Sequence, residues 1–155
     1  MADFCQWHKL LARGAAAVFG WRMRRCAFAV VLWSAWFVWA GTILFLSSLT
    51  PQELPEVAFV LSDKVLHFVA FAVGGWLASN AWRATGSPRG AFAIFLASVL
   101  LVAGFGAFDE ASQMLTPGRT GGDLYDWIAD FLGAIAGSII AARTHGHLDR
   151  LVTRR

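Results

Sequence analysis

Apolar residues run along this chain in four long stretches, Cys26 to Leu46, Val65 to Trp82, Ala91 to Phe108 and Leu124 to Ala142, separated by short polar segments. Each reaches the roughly 17–20 residues that a helix needs to cross the hydrocarbon core of a bilayer. The pattern therefore predicts an all-α integral membrane protein: a compact four-helix bundle over 26–142, a basic amphipathic segment over 1–25 and a basic tail over 143–155. Thr50-Pro51 and Pro55 stop the first span, Gly86 and Pro88 mark a turn between the second and third, and Thr116 to Gly122 reads as turns throughout. Ahead of the first span, Phe4, Trp7, Leu11, Val18 and Trp21 share one helical side, with Gln6, Lys9, Arg13 and Arg24 on the other. Two readings stay open there: a helix lying on the anionic cytoplasmic leaflet, weakened by Gly14 and Gly20, or a basic tail that only sets orientation.

The polar positions inside and beside these stretches are few and grouped. The stretch Gly106 to Gly137 alone carries Asp109, Glu110, Gln113, Arg119, Asp123, Asp126 and Asp130. A charge near the bilayer centre costs about 3 kcal/mol on insertion scales, so such residues face a protein interior, a watery cavity or an interface. This stretch reads as the functional centre. Asp63 and His67, four apart, share a helix face. A helix N-terminus capped by Ser62 accounts for Asp63 through the dipole, but not for His67, which lies within the apolar run and requires a partner. Gly106, Glu110 and Gln113 form one face of the third helix, and Asp126, Asp130, Gly133 and Gly137 one narrow stripe of the fourth. The two glycines permit close helix approach. The first span, with Trp33, Trp36 and Trp39 and no ionisable residue, reads as a wall.

Composition agrees: 57% hydrophobic and 15% charged residues exclude an ordinary soluble domain. A formal charge of +3 raises nucleic acid as a partner, but the basic residues are sorted by loop rather than gathered on one face, so nucleic acid is not expected. Lys9 to Arg25, Arg83 with Arg89, and Arg143 to Arg155 flank one membrane side, while Glu53, Glu56, Asp63, Asp109, Glu110, Asp123 and Asp126 gather in the other loops. The positive-inside rule then places both termini in the cytoplasm and the acidic loops outside. Cys5 and Cys26 show no paired or metal-like spacing, and His145-Gly146-His147 lacks further ligands. The first apolar run lies far from the start and is expected to remain as an anchor rather than be cleaved.

If the three polar stripes converge, three chemistries are open. Arg119, with Lys64 nearby, suits the oxygens of a phosphate. Glu110 or His67 suits acid–base work. Carboxylates with one histidine suit a hard divalent ion, although no spacing selects a metal, so none is assigned and no cofactor is expected. Against these stands a purely structural network in which Arg119 neutralises Glu110 and Asp126.

Taken together, Asp63-Lys64-x-x-His67 with Phe71, Glu110-x-x-Gln113, Pro117-Gly118-Arg119, Asp126-x-x-x-Asp130 and Gly133-x-x-x-Gly137 resemble the VanZ-like family of small bacterial membrane proteins. The resemblance implies a bacterial envelope protein with four or more spans, from a family whose name-giving member is associated with glycopeptide (teicoplanin) resistance. Two features depart from the family pattern: Asp130 stands where an amide is usual, and the loop from Arg119 to Asp126 is slightly longer.

The expectation is thus a multi-pass protein of the bacterial cytoplasmic membrane. Its extracytoplasmic site would be made by Asp63, Lys64, His67, Glu110, Gln113, Arg119, Asp126 and Asp130. Membrane lipids are the expected partners, with an anionic lipid or lipid-linked cell-wall intermediate as ligand. A membrane enzyme using Glu110 or His67, and a non-catalytic scaffold joining a partner or a second copy through Gly133 and Gly137, are the alternatives.

Overall fold

The computed structural model describes residues 2–50, 52–53, 63–86, 90–118 and 121–153, with the side chains of 2–19, 21, 22, 149 and 151–153 outside the description. It is all-helical among the described residues: α1 (Ala2–Ser48), α2 (Asp63–Ala84), α3 (Ala91–Gln113) and α4 (Leu124–Thr153). Met23–Ser48, Asp63–Ala84, Ala91–Gln113 and Leu124–Leu148 are each long and apolar enough to cross a membrane. The helices run further than the apolar stretches alone. Asp63 and Lys64 belong to the first turn of α2, and Asp109, Glu110 and Gln113 to the last turns of α3. The amphipathic stretch and the first span share one unbroken helix, α1. The face formed by Phe4 to Trp21 lies outside the described side chains, as does the Ser62 cap.

Between spanning helices there is no large hydrophobic driving force, because lipid tails are as apolar as leucine; close packing and interhelical hydrogen bonds take over. The α2–α4 pair shows this. A Cβ added at Gly133 would collide with the Phe68 carbonyl, one at Gly137 with the Ala72 carbonyl, and one at Gly75 with the Ala134 carbonyl. Backbone therefore lies on backbone, and the Ser138 hydroxyl donates to the Gly75 carbonyl oxygen at 3.4 Å. The Gly133–Gly137 stripe is consequently occupied by α2 of the same chain.

Trp33, Trp36 and Trp39 of α1 form the expected wall. Trp39 packs on Phe71 and Phe105 with ring centroids 5.5 and 5.2 Å away. Its indole N–H donates to the Ala70 carbonyl at 2.9 Å. The ring fits because Gly74 lacks a side chain: a Cβ there would sit 2.5 Å from it. Phe37, Val38, Phe45, Phe92 and Leu100 point outward and are largely exposed. On four helices of spanning length, such a belt is the surface that meets lipid.

Candidate polar site at one end of the bundle

Because the helices alternate in direction, the end of α1, the start of α2, the end of α3 and the start of α4 meet at one end. The convergence expected from the three stripes is present there. Asp109, Glu110, Gln113, Asp126 and Asp130 are buried, and His67 is partly so.

Asp123 sits immediately before α4 and caps it. One carboxylate oxygen accepts the Tyr125 N–H at 2.8 Å, satisfying a free donor of the first turn. Its other oxygen accepts from Lys64 Nζ at 2.7 Å. The Lys64 hydrogen bond, then the Tyr125 N–H, holds the Asp123 carboxyl below its ordinary value. Lys64 also forms a short ion pair with Asp126 and lies 3.8 Å from Asp63. Its ammonium thus faces three carboxylates at the end of the bundle, with its side chain 41% exposed.

His67 lies one turn deeper. Its Nδ1 is 2.9 Å from Asp130 Oδ1, its Nε2 is 3.8 Å from Asp63 Oδ1, and its ring lies parallel to Phe71. The second Asp130 oxygen lodges against Gly106, where an added Cβ would approach it to 2.7 Å. Gly106 therefore supplies the room that a buried carboxylate needs. On the same face of α3, Glu110 Oε2 accepts the backbone N–H groups of Gly122 and Asp123 at 3.1 and 3.0 Å, so this carboxylate holds down the loop leading into α4. Gly121 lies so close to the end of α3 that a Cβ would strike the Met114 amide, and Gly122 has φ +81°, a conformation glycine adopts freely.

Gln113 turns towards α1. Its amide donates to Asp109 Oδ2 at 3.0 Å and to Ser47 Oγ at 3.4 Å, while Thr116 Oγ1 donates to the Ser47 carbonyl at 3.1 Å. Sequence reasoning left Asp109, Asp123 and Ser47 out of the site. Asp109 was findable from its four-residue spacing to Gln113, and Asp123 from its place just before an apolar run, the usual position of a cap. Ser47, a serine at the end of a span, carries no such signal. Arg119 lies outside the described residues, so its expected role remains an expectation.

Among the described residues, Asp109 Oδ1, Glu110 Oε1 and Asp130 Oδ2 are buried without a hydrogen-bond partner. His67, Glu110 and Asp130 each offer one metal-ligating atom within 4.8 Å of the others, and Asp63, His67 and Asp126 form a second such group. Beside Glu110 a cleft of about 280 Å³ opens between α3 and α4. Ala107, Ala111, Met114, Leu124 and Trp127 form its apolar walls, and Glu110 and Asp123 its polar part. Trp127 is fixed in that wall by an N–H bond to the Ala103 carbonyl at 3.0 Å.

Four helices long and apolar enough to span a membrane, with acids, a histidine and a lysine gathered at one end, define a membrane protein with a polar cluster at one end of its bundle. The VanZ/LLP1 family model matches residues 18–145, and the chain belongs to this VanZ-like family. No curated protein and no solved structure gives a significant match.

Proposed function

We propose that this VanZ-like protein recognises the head group of an anionic envelope lipid or lipid-linked cell-wall intermediate, on the extracytoplasmic side of a bacterial cytoplasmic membrane. The observation that carries this reading is the cleft between α3 and α4, whose apolar walls end at Glu110 and Asp123. Such a surface suits a molecule that is alkyl on one side and polar on the other. Hydroxyl or ammonium donors of the head group would meet the Asp123 carboxylate, while Glu110 holds the loop that shapes the cleft. With Lys64 paired to Asp123 and Asp126, the phosphate falls to Arg119, whose guanidinium binds phosphate oxygens in pairs. Native mass spectrometry of protein gently released from its membrane tests this. Wild type should carry a specific lipid that Arg119→Ala and Glu110→Gln lose; equal lipid content in all three would refute the reading.

A second reading, a membrane enzyme acting on such a lipid, draws on the 2.9 Å contact between His67 and Asp130, with Glu110 close by. A carboxylate that fixes a histidine's orientation leaves its other ring nitrogen available for proton transfer. This reading predicts lost product formation in Glu110→Gln at unchanged lipid retention, and is refuted if no envelope lipid is turned over by wild type.

A further inference from the structure

We propose that His67, Glu110 and Asp130 form a binding site for one divalent cation of the Mn²⁺ or Zn²⁺ type, buried between α2, α3 and α4. The argument starts from charge. The carboxyls of Glu53, Asp63, Asp109, Glu110, Asp123, Asp126 and Asp130 lie at this end, and among the described residues Lys64 and His67 are the possible cations near them. Buried charges are ordinarily paired, bound to metal or neutralised. Lys64 lies among Asp63, Asp123 and Asp126. Among the described residues, that leaves His67 as the possible cation beside Glu110, Asp130 and the adjoining Asp109.

The second observation is the unpartnered oxygen. Glu110 is only 5% exposed, and its two backbone N–H bonds both fall on Oε2, leaving Oε1 buried and without a partner among the described residues. Asp130 is fully buried and repeats the pattern, with Oδ1 beside His67 and Oδ2 unpartnered in the space that Gly106 leaves. A buried carboxylate oxygen without a partner is costly, and a bound cation would satisfy both of these.

Geometry agrees with shared coordination. Neighbouring ligands of a six-coordinate ion with bonds of about 2.1 Å lie roughly 3 Å apart, and His67 Nδ1 and Asp130 Oδ1 are 2.9 Å apart. Glu110 offers the third ligating atom, with all three within 4.8 Å of one another. One imidazole with two carboxylates suits Mn²⁺ or Zn²⁺ better than Ca²⁺, which prefers oxygen ligands alone, or Cu⁺, which prefers sulfur. The site stands on these residues and does not rest on the lipid reading. A cation there would nonetheless supply positive charge beside the cleft, which Glu110 also lines.

The test is equilibrium binding of Mn²⁺ to the chelator-stripped full-length protein in detergent, read from the loss of the free-ion electron paramagnetic resonance signal, with Zn²⁺ as competitor. We expect one Mn²⁺ per chain, displaced by Zn²⁺ and weakened at least about ten-fold by Glu110→Gln and by Asp130→Asn. Gly106→Ala, which keeps every ligand but crowds Asp130, should weaken it too and guards against a misfolded Asp130→Asn. Removing both tail histidines, His145→Ala with His147→Ala, should leave binding unchanged. The proposal is overturned if wild type binds neither ion stoichiometrically, if Glu110→Gln binds as wild type does, or if the tail variant abolishes binding.

Discussion

His67 and Asp130, 63 positions apart in the chain, meet with a ring nitrogen 2.9 Å from a carboxylate oxygen in the interior of the bundle. The contact ties α2 to α4 where α3 also closes in, and it turns two isolated polar residues in apolar helices into one unit. Removing one partner strands the other. Breaking such a buried pair costs about 3–5 kcal/mol, whereas removing both is often near neutral. With chelator present, His67→Leu should therefore unfold at a markedly lower temperature than wild type, and His67→Leu combined with Asp130→Ala should recover much of the loss. A double variant as unstable as the sum of the singles would show that the two residues do not act together.

Glycines on α3 and α4 are predicted to differ sharply. Gly137 lies against the Ala72 carbonyl, part of the α2 backbone that has no freedom to yield, so Gly137→Ala forces the helices apart. Overpacking typically costs about 1–3 kcal/mol, and contact with backbone puts this change at the upper end. Gly104, with nothing described within 4 Å of its Cβ position, should accept alanine with an unchanged or slightly higher melting temperature, since alanine is up to about 1 kcal/mol better than glycine inside a helix. Thermal unfolding in detergent reads both.

Asp123 gives the bundle a defined acid response. Its carboxyl titrates below the ordinary 3.8 because Lys64 and the Tyr125 N–H bond to its charged form. A group lowered on folding stabilises fully above its unfolded value and loses that contribution as pH falls through the folded one. The stability gap between wild type and Asp123→Asn should accordingly be constant from neutral pH down to about 4 and close below 3.8. A gap that closes near pH 6 would assign the effect to another group.

The sorting of basic residues by loop makes sidedness a prediction. In a chain whose two cysteines are replaced by serine, Leu115→Cys, 86% exposed at the polar end, should react with an impermeant thiol reagent added outside cells. Thr85→Cys, at the opposite end, should react only after permeabilisation. The reverse pattern would place the polar site in the cytoplasm.

The four helices were legible because a run of Ala, Leu, Val, Phe and Trp at spanning length has few other uses, and the polar stripes because Asp63 with His67, Glu110 with Gln113 and Asp126 with Asp130 keep helical spacing. Partner choice was not legible. Nothing in the spacing says that Lys64 closes on Asp123 and Asp126, because that pairing depends on how α2 and α4 sit against each other. Nor does a small-residue stripe reveal whether it meets another chain or, as Gly133 and Gly137 do, the neighbouring helix of its own. Glu110 taught the same lesson: its burial follows from the helix face, but its grip on the Gly122 and Asp123 amides follows from the loop's path.

The most direct test of lipid recognition fills the cleft without touching a charge. Ala111→Phe places a ring between α3 and α4, and Ala91→Phe, exposed at the far end of α3, serves as the control. Lipid retention by native mass spectrometry should be equal in wild type and Ala91→Phe and lost in Ala111→Phe at an unchanged melting temperature. Full retention by Ala111→Phe would contradict the account.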